Sequence, residues 1–230
     1  MSEKAVVIVS GGIDSSVALY WAANEGFDTR PICFMYGQRH LREIMYAREQ
    51  VEELRRAQTS KRRAGLLEII EIPWMNSLKS SALTNPEIPV PSIKEVLGHP
   101  QPVTYVPFRN LLFLTIALQF AEDVNASSVV YGAQLHDLYG YWDATREFVE
   151  RLNALVTLNR QHRISVVAPL ADNSKAGNIL LGKELGVNFA LTYSCYVGRP
   201  RHCGICPTCA ERKKGFIDAG VVDPTSYEVA

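Results

Sequence analysis

The chain has 230 residues, 47% of them hydrophobic and 21% charged, which suits one α/β domain with an appendage and excludes a disordered, collagen-like or coiled-coil chain. Its 24 basic and 24 acidic side chains cancel, so the basic excess that grips a long nucleic acid is missing and bulk nucleic-acid binding is disfavoured. The longest apolar run, Leu111 to Ala121, is interrupted by Thr115 and Gln119 and is too short to span a bilayer; with no secretory signal ahead of Ala5-Val-Val-Ile-Val9, a cytoplasmic protein without membrane contact is expected.

In chain order, Ala5 to Val9 reads as a first strand and Ser15 to Asn24, closed by Gly26, as the helix after it. Arg30 to Tyr36 predicts a second strand, Leu41 to Arg56 an amphipathic helix, and Leu66 to Ile72 a third strand ended by Pro73. Six of the twelve prolines fall between Pro86 and Pro107, so residues 84–107 are expected as an ordered loop or lid, neither helix nor central strand. Phe108 to Val124 predicts a buried helix, Ser128 to Tyr131 a fourth strand, Arg146 to Arg160 a helix, Ile164 to Val167 a fifth strand, and Ser174 to Leu185 a helix capped by Gly186. Strands separated by helical crossovers give a doubly wound, five-stranded parallel sheet of Rossmann-like α/β class, with ligands at the carboxyl ends of its strands. The α/β domain is expected over residues 1–188, and a small metal-binding helical segment over 189–230.

The sharpest local signal is Ser10-Gly11-Gly12-Ile13-Asp14-Ser15-Ser16, at the turn from first strand to first helix. Two glycines allow a tight turn and a close approach to an anion, and the serine hydroxyls and helix-start N–H groups are donors for phosphates. The loop lacks the lysine of G-x-x-x-x-G-K-[ST] and the pattern G-x-G-x-x-G, so neither a P-loop kinase nor a dinucleotide enzyme is indicated. The bland alternative is a helix merely capped by its serines. A second signal is Cys195 with Cys203-x2-Cys206-x2-Cys209, four thiols within fifteen residues. Four soft ligands with no open position suit one structural, tetrahedral zinc, rather than an iron–sulfur cluster or a redox pair. Cys33, alone in the second strand, reads as a core residue.

S-G-G-x-D-S at the first strand–helix junction resembles the PP-loop of the ATP pyrophosphatases. That resemblance implies that Ser10, Gly11, Gly12, Asp14, Ser15 and Ser16 hold the β,γ-pyrophosphate of ATP, that Asp14 organises Mg²⁺ there, and that AMP is transferred to an oxygen of the substrate. Together with Tyr36-Gly-Gln-Arg-His40, Ala82-Leu-Thr84, Tyr105-Val-Pro-Phe-Arg-Asn110, Lys175, Ser194-Cys-Tyr196 and Cys203-Gly-Ile-Cys-Pro-Thr-Cys209, the whole chain resembles the QueC family of 7-cyano-7-deazaguanine synthases. The resemblance implies a homodimeric ligase with one zinc per chain on the four cysteines. Such enzymes adenylate 7-carboxy-7-deazaguanine with ATP, convert it with ammonia to the amide, and dehydrate the amide to the nitrile with a second ATP.

Departures from the family pattern cluster in the expected substrate region. Gly140-Tyr-Trp-Asp-Ala-Thr-Arg146 is one residue longer than the usual Gly-Tyr-Pro-Asp-Cys-Arg, Phe108 replaces a Gly before Arg109, and Gly37 replaces an Asn. They leave open an acceptor amine other than ammonia, one on a protein included. A deazaguanine ring needs a carboxylate facing its N1–H and exocyclic amine, an apolar plane, and a cation for its own carboxylate. Asp137 or Asp143 suits the first, Tyr139, Tyr141 or Trp142 the second, and Arg109, Arg39 or Arg146 the third. Asp143 as a helix cap and Arg146 as a surface residue are the plainer alternatives. Asp14, Lys175 and Arg109 are the expected catalytic groups, with Lys175 placed to neutralise phosphate charge in the transition state.

Overall fold

The computed structural model describes residues 2–59, 62–97, 101–134 and 141–229. Its centre is β1 (Lys4–Ile8), paired in parallel with β2 (Asp28–Met35) on one side and β5 (Ser128–Tyr131) on the other. Beyond β5 lies β6 (Ser165–Val167), while β3 (Arg63–Ala64) and β4 (Glu68–Glu71) share the outer side of β2. The doubly wound parallel class is as expected. Among the described residues there are six strands where five are predicted, because the outer neighbour of β2 is split: β4 answers the expected third strand, Leu66 to Ile72, and β3 precedes it.

Pro31 accounts for the split. Ile32 turns its carbonyl to β1, where Val9 N–H meets it at 2.8 Å, whereas Thr29 and Met35 turn theirs outward to Gly65 and Ile72 N–H, each at 2.8 Å. By strand alternation Pro31 faces outward with them and has no N–H to give. The outer ladder therefore breaks between β3 and β4.

A strand covered on both faces must be apolar throughout, and Ala5, Val6, Val7 and Val9 are fully buried. Ala5, Val7 and Val9 pack against α1 (Ile13–Asn24), α2 (Arg42–Arg56) and α6 (Lys175–Leu185). Val6, with Ile32, Phe34 and Val129, packs against α4 (Arg109–Asp123) and α5 (Arg146–Val156) on the opposite face. Among the described residues no helix is long and apolar enough to cross a membrane.

The proline-rich segment contains one helical turn that its composition conceals, α3 (Ile93–Val96), started by a Ser92–Glu95 capping box. Arg39 ties the segment down through hydrogen bonds from Nη1 to the carbonyls of Ala82 (3.3 Å) and Ile88 (2.7 Å).

The C-terminal helix α7 (Pro207–Asp218) packs on α6, joined through Arg212, which is 1% exposed. Its guanidinium donates to Thr192 Oγ1 at 2.7 Å, to the Phe189 carbonyl at 3.1 Å and to Asp223 Oδ1 at 3.1 Å. Removing one partner of such a buried pair costs about 3–5 kcal/mol. Arg212→Ala should therefore lower the calorimetric melting temperature by on the order of 10 °C in a chain of this size.

Candidate active site

The carboxyl ends of β1, β2 and β5 open into a cavity of about 590 Å³, at the switch point between β1 and β5, whose onward connections run to opposite sides of the sheet. Residues 10–16 form one wall. Gly11 has φ +85°, and a Cβ there would stand 2.2 Å from the Glu43 carbonyl and 2.7 Å from Ala47 N, so glycine is needed for contact with α2. Gly132, after β5, serves likewise: a Cβ would lie 2.6 Å from the Asp14 carbonyl. The serines do not cap α1. Ser15 and Ser16 hydroxyls donate to the Gly12 carbonyl at 3.2 and 2.8 Å, Ser15 also meets Ser10 Oγ at 3.1 Å, and extended Gly12 is an N-cap without a side-chain bond. The first turn of α1 is thus left as an anion-ready N-terminus.

Asp14 Oδ2 accepts from Lys175 Nζ at 2.5 Å and Oδ1 from Asn178 Nδ2 at 2.9 Å. Burial alone would lower the Lys175 pKa, but the charges of Asp14 and Glu211 more than reverse it, so the ammonium is held. Asn178, fully buried, carries no sequence signal; only the i, i+3 spacing from Lys175 shows that it shares that helix face.

Arg109 lines the far side of the cavity. Burial opposes its charge, and Tyr36 and Tyr196 outweigh that penalty, so its pKa is raised. The preceding Phe108 is in the left-handed region, φ +54°, a conformation costing a non-glycine residue about 1 kcal/mol or more. Its ring meets Trp142 edge-on at 5.3 Å, and Tyr105 Oη accepts both the Phe108 N–H (3.1 Å) and Trp142 Nε1–H (2.8 Å). The two bulky residues at which the sequence departs from the family pattern thus brace one another. Tyr141 also lines the cavity, its hydroxyl 2.7 Å from Thr104 Oγ1.

Three expected substrate contacts lie elsewhere. Arg39 is spent on the proline-rich segment, and Arg146 is exposed and paired with Asp172. Asp143 faces the start of α4, accepting from Asn110 N at 3.3 Å, and does not line the cavity. Nor does it cap α5, whose cap is Thr145. Asp137 and Tyr139 lie outside the described residues.

Two residues the sequence reading passed over line the cavity instead, His40 and Glu43. Glu43 Oε1 accepts from Gln38 Nε2 at 3.0 Å, and Oε2 is 3.4 Å from His40 Nε2. His40 stands in a quoted motif, but nothing in the sequence shows that Glu43, one helical turn on, points inward.

The four cysteines are buried, with all four sulfurs within 4.8 Å of one another. Backbone N–H groups of Cys203 and Cys206 point at the sulfurs of Cys195 and Cys203, each at 3.3 Å. Hydrogen bonds from Cys206 and Cys209 hold the Cys195 thiol well below its ordinary range. The cluster is a fit donor set for one tetrahedral metal ion.

Asp14→Asn should test whether the loop pair is structural. The side chains of Lys175 and Asp14 are only 19% and 24% exposed, so loss of this charge-assisted bond is expected to cost about 1.5–3 kcal/mol, a melting shift of roughly 3–12 °C by calorimetry. A much larger fall would make the pair part of the fold.

The family model described as queuosine biosynthesis protein QueC matches residues 4–220. A 7-cyano-7-deazaguanine synthase of Aromatoleum aromaticum is 40% identical over 232 residues, covering 98% of both chains. One from Caldicellulosiruptor saccharolyticus is 36% identical, over 98% of this chain and 96% of its own. Among solved structures, a 4-thiouridine synthetase in complex with RNA and bound ATP is similar in fold, at a TM-score of 0.52 and 18% identity over 95% of this chain, which spans 50% of that longer one. With phosphate loop and cysteine cluster both inside the matched region, the chain belongs to the QueC family.

Proposed function

We propose that the chain is an ATP-dependent carbon–nitrogen ligase that makes 7-cyano-7-deazaguanine from 7-carboxy-7-deazaguanine and ammonia, releasing AMP and pyrophosphate. The names of its relatives support the product. The observation that carries the chemistry is one cavity lined both by an uncapped phosphate loop and by the half-buried cation Arg109. Of the three arginines expected to meet the substrate carboxylate, only Arg109 lines that space.

A carboxylate oxygen positioned by Arg109 attacks the α-phosphorus, and the bond to the bridging oxygen breaks. Pyrophosphate leaves into residues 10–16, where helix N–H groups and Lys175 take up the developing charge. Asp14 is the loop carboxylate able to hold Mg²⁺, which would neutralise phosphate charge there. Phe34, Tyr36 and Phe113, in mutual ring contact at 4.1 and 5.2 Å, supply an apolar wall for the ring. Ammonia then displaces AMP to give the amide, whose oxygen is adenylated in turn, and loss of the second AMP leaves the nitrile.

Incubation with ATP, Mg²⁺, ammonium and 7-carboxy-7-deazaguanine should yield two AMP per nitrile by chromatography and mass spectrometry. ADP as the main nucleotide product would sink the reading; one AMP per accumulating amide or protein adduct would move it to another amine.

Zinc is the occupant proposed for Cys195, Cys203, Cys206 and Cys209, supplying a cross-link and no chemistry. Elemental analysis should find about one zinc per chain, and Cys206→Ser should lose metal and solubility together, because such sites contribute on the order of 10 kcal/mol to folding. Iron in its place would overturn the assignment. A homodimer is proposed from the family resemblance, with light scattering as its check.

A further inference from the structure

The proposed reaction makes a demand that the residues assigned so far do not meet. When ammonia adds to the acyl adenylate, the C–N bond forms, the C–O bond to AMP breaks, and nitrogen must shed a proton. The amide nitrogen must then lose both of its protons, one as its oxygen is adenylated to the imidate and one as the second AMP leaves and the C≡N bond forms. Arg109 and Lys175 are cations that cannot accept these protons, and Asp14 is bound to Lys175 on the phosphate loop.

Among the described residues, the other carboxyls lining the cavity are Glu43, Glu211 and Asp218. Asp218 is paired with Lys214 at the exposed rim, and Glu211 stands in the field of Lys175. Glu43 differs from both. Its side chain is 13% exposed, and Gln38 fixes it in place. Gln38, 1% exposed, is itself locked, receiving the Tyr36 N–H at 2.8 Å and donating to the Phe34 carbonyl at 3.0 Å. Among the described residues no lysine or arginine forms an ion pair with the carboxyl; its second oxygen faces His40, which is 6% exposed and whose Nδ1 meets no partner among those residues. Arg109 lies close enough to influence both groups electrostatically, so they face the acyl end of the cavity.

Burial pushes the Glu43 carboxyl up to about 8 and the His40 imidazole down to about 3. The ring is then neutral at physiological pH, and the carboxyl both gains and returns a proton readily. A buried carboxyl held by an amide, facing a neutral imidazole and tied to no cation, is costly to the fold unless a ligand uses it.

We propose that Glu43, backed by His40, is the proton acceptor for nitrogen in this active site. Its carboxylate takes the proton released as ammonia bonds to the acyl carbon and AMP departs, returns it to water at the cavity mouth, and takes in turn the two nitrogen protons lost as the amide is adenylated and as the nitrile forms. His40 is a positioning residue. The inference rests on the proposed function and deepens it.

Adenylation of the acid needs no such acceptor, so the two can be separated. ATP–pyrophosphate exchange dependent on 7-carboxy-7-deazaguanine reports adenylation alone. In Glu43→Gln, which preserves shape and the bond to Gln38, exchange should stay near the wild-type rate while amide and nitrile formation from ammonium fall about 100-fold. Hydroxylamine, whose nitrogen sheds the same proton as the hydroxamate forms, should be slowed in the variant as ammonia is. Equal loss of exchange, or hydroxamate formed at the wild-type rate, would overturn the role. Should Glu43→Gln fail to fold, His40→Gln is expected to show the same pattern at about 10-fold, and its absence there would count equally against the proposal. Wild-type protein without acid-dependent exchange would defeat the functional reading itself, before Glu43 is in question.

Discussion

The site depends on how closely two stretches of backbone approach the phosphate loop. At Gly11 the first turn of α2 lies so near that one methyl group would stand 2.2 Å from the Glu43 carbonyl, and at Gly132 the end of β5 meets Asp14 as tightly. A third contact, Tyr193 N–H to the Gly11 carbonyl at 2.8 Å, brings in the segment leading to the cysteines. Distances across the cavity are therefore set by main-chain packing, which is stiffer than side-chain contact. Glu43 owes its position to this arrangement, since the residue whose carbonyl touches the loop also presents its carboxyl to the cavity.

Two guanidiniums, Arg212 buried and Arg109 half-buried, are used in opposite ways. Arg212 spends its donors on short, well-directed bonds to Thr192, Phe189 and Asp223, as a structural cation must if its desolvation is to be offset. Arg109 reaches Tyr36 at 3.4 Å and Asn110 at 3.3 Å, long contacts that leave much of a five-donor group available. The contrast separates a cation that closes a fold from one whose donors are left facing the cavity.

What the sequence disclosed, and what it did not, follows from the range of the interactions. The strand–loop–helix at residues 4–24 was legible because it is local: an apolar run, a glycine turn and a helical stretch occur within one unit. The cysteine spacing was legible for the same reason. The substrate side was not. Asp143, Arg39 and Arg146 have the right chemistry, but whether a carboxylate or guanidinium turns inward is decided by elements far away in the chain, α4 for Asp143 and the proline-rich segment for Arg39. Glu43 was hidden because an acidic residue in the first turn of an amphipathic helix is ordinarily a solvated complement to the macrodipole. Pro31 could have been noticed, since proline inside a strand removes a ladder bond wherever it falls.

That proline also bears on how the chain behaves among its own copies. By interrupting the outer ladder of β2, it leaves this flank of the sheet with strands of only two and four residues. The longer one reads Glu68-Ile69-Ile70-Glu71, two β-branched residues bracketed by carboxylates that repel an identical strand. An incoming edge finds no continuous row of backbone groups to template on. The irregularity that splits one strand into two thus protects a neutral, aggregation-exposed protein from growing its sheet into a neighbour.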